Sequence, residues 1–414
     1  MDSILGLPLV KYRNKYLVYL GSTKEIVEFD ATQTKEHIAG ELKNLLKHNS
    51  LQNPLTHLAD ADTSYIAFTL TKACNLKCVY CFIDANSEKT ILTKETIIAI
   101  LSDRIALNKK KYVLNFFGGE PSLCYPTIKS IVEYCKQFSD KEFSFSISTN
   151  GVFSQKFADF IIANKFIINF SWDGLYQSKN RPFVNGSSSV SNVEKTAAYL
   201  VKNNAFFKVR ITMTAPMLKE YKKIIDYYAK FGVRFLHAEP ILAAGRGKNN
   251  SFVCNPKEFS KTFVKMIKYG KTRGMTVFNL VYTHFLLETP ITCPIFKDDF
   301  FVINPDGSVS KCFECSYANH PLSSTFIVGM FDQKKNKLQL SASKIAHIHT
   351  LYNKLLHCNS CSIKVACGGG CLDRALNMPA SEPSRCKTPY SCELYFHLLE
   401  ELIKYWYSEG KVNG

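Results

Sequence analysis

Three cysteines fall within eight residues in the run Thr71-Lys-Ala-Cys74-Asn-Leu-Lys-Cys78-Val-Tyr80-Cys81-Phe82, a C-x3-C-x2-C spacing. Three thiolates so close in sequence can surround one metal centre. Zinc would need a fourth ligand to close a structural tetrahedron, and no nearby His or Cys supplies one. A [4Fe–4S] cluster held by three cysteines leaves one iron open to a small molecule. A second field holds nine of the chain's fifteen cysteines: Cys293, Cys312, Cys315, Cys358, Cys361, Cys367, Cys371, Cys386 and Cys392. In a cytoplasm such a count is better explained by metal or redox chemistry than by disulfides. A zinc ribbon over Cys358–Cys371 is the plainer alternative for part of this field. Cys124, Cys135 and Cys254 lie outside every motif, and the first two, in or beside a predicted helix, are expected to be buried apolar residues.

The elements that position the first group alternate strictly. Candidate strands are Tyr65–Leu70, Tyr112–Phe117, Phe143–Thr149, Ile167–Trp172, Phe207–Met213 and Arg234–Glu239, with helices Thr93–Leu107, Tyr125–Phe138, Ser154–Asn164, Ser191–Asn203 and Leu218–Phe231 between them. Thr93, Ser154 and Ser191 are the expected N-caps. Six βα units imply a parallel sheet covered by helices, and periodicity alone fits an open Rossmann-like sheet or an incomplete barrel; both place ligands at the C-terminal ends of the strands. Polar and glycine residues crown those ends: Phe117-Gly118-Gly119-Glu120-Pro121 after the second strand, Thr149-Asn150-Gly151 after the third, Ser171-Trp172-Asp173-Gly174 followed by Arg181 after the fourth, and His237-Ala-Glu239-Pro240-Ile241 at the sixth.

Before this block, Lys15–Leu20 and Glu25–Phe29 read as a hairpin and Thr34–His48 as a helix, with His48–Thr63 as a linker. After a further helix at Pro256–Tyr269 the alternation stops. Phe300–Ser310, with its Pro305-Asp306-Gly307 turn, reads as a hairpin and Glu393–Tyr407 as an amphipathic helix. No apolar stretch reaches the roughly eighteen residues of a membrane helix, and the N-terminus lacks the features of a signal peptide, so a cytoplasmic protein is expected. The formal charge of +17 comes from scattered lysines, which disfavours nucleic acid and suits an acidic peptide or an anionic cofactor.

The C-x3-C-x2-C run, with Tyr80 before its last cysteine, resembles the signature of the radical S-adenosylmethionine (SAM) superfamily. That resemblance implies a [4Fe–4S] cluster on Cys74, Cys78 and Cys81, with SAM on the open iron. It further implies a SAM site that includes Tyr80 and Pro121, with Gly118, Gly119 and Glu120 at the SAM ammonium group and Asn150 nearby. Ser171, Asp173 and Arg181 would lie at the ribose and carboxylate, and Ile241 at the adenine. The fold expected is α/β: a partial (β/α)6 TIM barrel with a C-terminal cysteine-rich domain and a small N-terminal α+β element. The domains would run 1–62, 63–285 and 286–414.

The later field, Cys293-x13-Gly307-x4-Cys312 then Cys358-x2-Cys361-x5-Cys367-x3-Cys371 then Cys386 and Cys392, resembles the SPASM domain of enzymes that modify peptides and proteins. By that resemblance Cys293, Cys312 and Cys371 hold a first auxiliary [4Fe–4S] cluster. Cys358, Cys361, Cys367 and a late cysteine, Cys392 in preference to Cys386, hold a second. Cys315 would complete the first cluster, or that cluster keeps an open iron. The resemblance implies an oxidoreductase that makes a 5′-deoxyadenosyl radical, abstracts a hydrogen from a peptide and installs a thioether or carbon–carbon crosslink or a related change. Its expected partners are a peptide or protein, with an acidic leader, and a flavodoxin- or ferredoxin-like electron donor. Sulfatase-maturating enzymes place an Asp directly after the cysteine equivalent to Cys312, where this chain has Phe313; Cys312-Phe-Glu-Cys315 instead resembles the peptide maturases, with Glu314 as a candidate base. Sulfatase-type maturation and a non-catalytic iron–sulfur or zinc protein are the competing readings. Residues 15–48 resemble part of the leader-binding element of such maturases.

Overall fold

The computed structural model describes residues 1–21, 23–46, 62–86, 90–241, 245–247, 252–286, 293–314, 320–351, 361–367, 370–376 and 389–410. The inferred linker 48–63, apart from its last two residues, and Cys315, Cys358 and Cys386 lie outside the described residues.

The centre is a run of parallel strands, each adjacent to the next in sequence: β5 (Thr63–Thr69), β6 (Lys111–Phe117), β7 (Glu142–Thr149), β8 (Ile167–Ser171), β9 (Phe207–Met213), β10 (Phe235–Pro240) and the short β11 (Thr276–Phe278). Sequential order without a reversal has no topological switch point, so the open Rossmann alternative falls and the incomplete barrel stands. The six expected strands are present within two residues at each end, and β11 is an addition too short to show a period. Side chains alternate across the sheet as a pleat demands. Ile147, Phe170, Ile211 and Ala238 are buried in the main core, whereas Ser148, Asn169, Thr212 and Glu239, facing the other way, are partly exposed and line a cavity.

Helices Lys94–Ile105, Tyr125–Cys135, Gln155–Ala163, Val190–Lys202 and Tyr221–Lys230 connect these strands. Thr93 caps the first through a bond from the Thr96 amide, and Ser154 caps the third through the Phe157 amide. Ser191 is not a cap: that helix starts earlier, after Ser189, whose hydroxyl is engaged elsewhere.

The sheet continues beyond β5. Strand β12 (Phe300–Ile303) pairs parallel with β5, placing Phe300 beside Tyr65 and Ile303 beside Phe68. An antiparallel meander of β13 (Ser308–Ser310), β14 (Ile327–Asp332) and β15 (Lys337–Leu340) follows, so the cysteine-rich region grows out of the barrel edge. The β12–β13 hairpin turns at Gly307 with φ of +82°, where glycine avoids the strain another residue would meet.

The N-terminal region is more complete than a hairpin and a helix. Strands β1 (Asp2–Ile4), β2 (Leu7–Tyr12), β3 (Lys15–Leu20) and β4 (Glu25–Asp30) form an antiparallel sheet, followed by helix Lys35–Leu46. One face, with Leu9, Val18, Leu20 and Phe29, packs on Ile38 and Leu42 of that helix. The other face, with Val10, Leu17, Tyr19 and Ile26, joins the main core. It meets the C-terminal helix Pro389–Ser408 through Tyr19 on Trp406 and Tyr12 on Tyr407.

Candidate active site

The chain leaving β5 forms a loop whose path is fixed by backbone contacts on two sides. On one side Gly119 N donates to Thr71 O at 2.7 Å and Glu120 N to Ala73 O at 2.9 Å. A Cβ on Gly119 would stand 2.2 Å from Ala73 O, and one on Gly118 would stand 2.3 Å from Thr71 O. The two glycines are therefore needed for the cysteine loop to lie against the end of β6, whatever else they touch. On the other side Lys77 N donates to Pro182 O and Val79 N to Asn180 O, while Leu76 bridges to Phe183. The three thiols hang between these supports. The Leu76 amide donates to Cys74 Sγ at 3.4 Å, the Ala85 amide to Cys81 Sγ at 3.3 Å, and Arg181 approaches Cys78 Sγ at 3.9 Å.

Cys74, Cys78 and Cys81 line one cavity of about 420 Å³ together with Gly118, Gly119, Asn150, Ser171, Arg181 and Ile241. Among the described residues no group of three or more His, Cys, Asp and Glu side chains could chelate a single metal ion; the thiols share the cavity without converging on a point. Burial pushes the Cys74 thiol up to about 12, helped by the Glu120 charge, and raises Cys78 against the pull of Arg181. Thiolates at such positions need a positive centre to hold them. Three sulfurs supported by amide donors, with room beside them and glycine backbone forming the wall, fit an iron–sulfur cluster with a small organic cofactor next to it.

Of the expected SAM-binding set, Tyr80 also lines the cavity, whereas Glu120, Pro121 and Asp173 do not. Glu120 is fully buried and turned into the protein: its carboxylate accepts from Ser122 N at 3.0 Å, Thr149 Oγ1 at 2.7 Å and Asn150 N at 2.7 Å. It thus braces the ends of β6 and β7, which places the Asn150 side chain 3.5 Å from Cys74 Sγ. Pro121 begins a short 3-10 turn and is buried. Asp173 is a buried hub that accepts from Tyr80, from Asn180 at 3.0 Å and from Thr212 N at 3.2 Å, and it pairs with Arg181 Nε at 3.1 Å. Burial opposes the Arg181 charge, yet Asp173, Tyr80 and Cys78 more than restore it, and the guanidinium lies 5.2 Å over the Tyr80 ring. The segment Ser171-Trp172-Asp173 alternates, with Ser171 towards the cavity and Trp172 fully buried among Tyr227, Tyr228 and Phe231.

Several supports had no signature of their own. Gln177 takes the Asp173 amide and donates to Ser189, whose hydroxyl donates to Arg181 O, so one chain of bonds ties the Asp173 backbone to that of Arg181. Arg246 reaches across from after β10 to Cys78 O at 2.9 Å and Ala85 O at 3.1 Å, with Gly245 packed on the Cys81 and Phe82 backbone. The Gly-Arg-Gly triplet was the only trace of it in sequence. On the far wall His237, stacked on Phe278, bonds Glu239 at 2.6 Å.

The cavity does not end at the barrel. Glu314, Cys371 and, from the C-terminal helix, Tyr390, Ser391, Leu394 and Tyr395 also line it. Phe313 packs on Phe117 and Phe300, joining the barrel wall to the cysteine-rich region through aromatic contacts. Burial pushes the Cys293 thiol up, and Cys371 and Cys312 are close enough to add to the rise. Cys361 precedes the short helix Lys364–Cys367, which Cys367 ends, and Cys392 lies in the first turn of the C-terminal one. Cys124, Cys135 and Cys254 are buried away from both groups.

A half-open barrel with a three-cysteine loop at its rim defines a class. Residues 68–227 match the radical SAM superfamily model, and the chain carries a radical SAM domain. The family's cofactors are SAM and [4Fe–4S] clusters. Among relatives, a cysteine-type anaerobic sulfatase-maturating enzyme of Clostridium perfringens is 24% identical over 358 residues, 80% of this chain and 93% of that protein. An uncharacterised protein of Methanocaldococcus jannaschii is 25% identical over 253 residues, 60% of this chain and 84% of its own length. The solved structure of anSMEcpe with bound AdoMet superposes with a TM-score of 0.67 at 21% identity, covering 84% of this chain and 98% of that one. Streptococcus suis SuiB bound to its precursor peptide SuiA gives 0.58 at 15% identity, covering 90% and 96%. These superpositions establish the fold.

Proposed function

We propose that this chain is a radical SAM enzyme that modifies a peptide or protein and installs a crosslink, thioether or carbon–carbon, or a related change. The observation that carries the reading is the single cavity that runs from Cys74, Cys78 and Cys81 to Glu314 and Cys371. A substrate held there lies between the radical-generating end and the auxiliary end. SAM on the cluster supplies, after one-electron reduction by an external flavodoxin- or ferredoxin-like donor, a radical able to take a hydrogen from carbon. Cys74, Cys78 and Cys81 hold that cluster, and Gly118, Gly119, Tyr80, Asn150, Ser171, Arg181 and Ile241 bind SAM. Glu120, Pro121 and Asp173 act behind them, setting loop, arginine and asparagine. Cys293, Cys312 and Cys371 hold one auxiliary cluster, and Cys361, Cys367 and Cys392 contribute to another. Glu314 accepts a proton from the substrate on the auxiliary side.

Relatives include a sulfatase-maturating enzyme, but the residue after Cys312 favours a different chemistry. Phe313 sits against Phe117 at 5.5 Å and Phe300 at 5.7 Å between ring centroids and offers no base. Solved SuiB holds a precursor peptide, and a peptide substrate with an acidic leader suits a chain of charge +17. The test is mass spectrometry of a peptide encoded beside the gene after anaerobic incubation with reconstituted protein, SAM and reductant, with 5′-deoxyadenosine measured in parallel. Loss of two hydrogens with equimolar 5′-deoxyadenosine is expected. Formation of no 5′-deoxyadenosine would sink the enzyme reading, and a formylglycine product on a sulfatase peptide would sink the crosslinking one.

A further inference from the structure

Lys311 is one of the largest fully buried side chains of the molecule. It precedes Cys312, and its ammonium donates to two backbone carbonyls, Lys297 O at 2.5 Å and Asp298 O at 3.2 Å, while lying 4.9 Å over the Phe301 ring. Two carbonyl oxygens and an aromatic face form a cradle for a cation. Among the described residues, however, no carboxylate pairs with it. The Asp298 side chain is 92% exposed and faces His349, and Asp299 pairs with Arg104. A buried charge without a counter-charge is costly, and proteins normally pair such a group or set it beside a metal centre. The two carbonyls it holds belong to the turn that follows Cys293, which lies four residues before Lys297.

We propose that Lys311 is the cationic positioning residue of the first auxiliary cluster: it ties the Cys293 arm to the Cys312 strand, and the anionic cluster is its counter-charge. The inference rests on the reading of Cys293 and Cys312 as cluster ligands. The geometry gives Lys311 two separable tasks. Its bonds to Lys297 and Asp298 hold the turn after Cys293 against the end of β13, which fixes the spacing of two ligands. Its charge, with no carboxylate in an ion pair with it among the described residues, favours the reduced and more negative state of the cluster and so raises the potential.

The test uses the full chain, reconstituted anaerobically, with Cys74→Ala, Cys78→Ala and Cys81→Ala as the parent so that only auxiliary iron is observed. Iron content, the rate at which a chelator removes iron, and the midpoint from an EPR-monitored redox titration are compared between this parent and its Lys311→Met and Lys311→Gln derivatives. Lys311→Met is expected to take up iron, lose it several-fold faster and titrate at a more negative potential. Lys311→Gln, which keeps a donor without the charge, is expected to share the lowered potential while losing iron more slowly than Lys311→Met, and it carries the test if the methionine variant does not fold. Val309→Ala, buried in the same strand, should lower thermal stability and leave the potential in place. Unchanged midpoints and iron-loss rates in both Lys311 variants would overturn the proposal. A parent that takes up no iron would instead overturn the cysteine assignment on which it stands.

Discussion

At the scale of residues, the side chains around the cysteine loop divide by what they touch. Ser171, Asn150 and Arg181 reach the cavity, whereas Glu120 and Asp173 spend their oxygens on holding neighbours in place. The glycines show how tight this support is. Gly119→Ala would place a methyl 2.2 Å from Ala73 O and 2.6 Å from Lys72 O, both backbone atoms that cannot rotate aside. The variant should lose about 1–3 kcal/mol in denaturant melts and should retain less iron after reconstitution, because the displaced loop carries Cys74. Glu239 offers a pH test. Burial pushes its carboxyl up, but the His237 bond and the Arg210 charge outweigh this and hold it below its ordinary value. A depressed folded-state value means that the native chain binds fewer protons than the unfolded one, so this stability is complete above the ordinary carboxylate range and is lost as pH falls through it. Melts between about pH 6 and pH 3 should therefore show a shallower acid-side decline for Glu239→Gln than for the parent.

At the scale of elements, the C-terminal helix Pro389–Ser408 does three things at once. Leu398, Leu402 and Ile403 are fully buried in the main core, Trp406 meets Tyr19 of the N-terminal sheet, and Tyr390 and Leu394 form part of the cavity wall. Its amphipathic spacing was evident in sequence; which surfaces it joins was not. Leu402→Ala should destabilise the protein by about 2–5 kcal/mol through a cavity and lost burial, read as a lowered melting temperature of the apo-protein. The strands of the barrel were readable to within two residues because buried Ile, Phe and Val alternate with polar positions. Strands β11 and β15 were not, since three or four residues on a sheet edge carry too little pattern to stand out from loop sequence, and neither was β14, which lies between β13 and β15.

At the scale of the whole molecule, the cysteine-rich region is joined to the barrel by the parallel pairing of β12 with β5, the strand that delivers Cys74. Cys74, just after β5, and Cys293 and Cys312, on either side of the β12–β13 hairpin, are thus carried by neighbouring strands of one sheet. The N-terminal sheet is likewise built in, with one face on its own helix and the other on the C-terminal helix. Deleting residues 1–46 should then do more than weaken peptide binding. It should uncover Trp406 and Tyr282, which pack in line with Tyr19, lower the thermal midpoint and raise tryptophan quenching by acrylamide. A deletion mutant as stable as the parent, with unquenched tryptophan, would show that this contact is dispensable.

The sequence by itself determined which positions are candidates for chemistry, since thiol spacing, paired glycines and strand-end polar residues are local, and local patterns survive without knowledge of the fold. It also determined that a parallel sheet positions them, because strand and helix periods are written residue by residue. Only the tertiary structure decided which of the crowned residues face the cavity. A one-residue alternation at the end of a strand sends Ser171 inward and Trp172 outward, and long-range partners such as Thr212, Ser189 and Arg246 leave no mark beside the residues they hold. Lys311 makes the same point: beside Cys312 it reads as one lysine among many, and only the fold removes it from water.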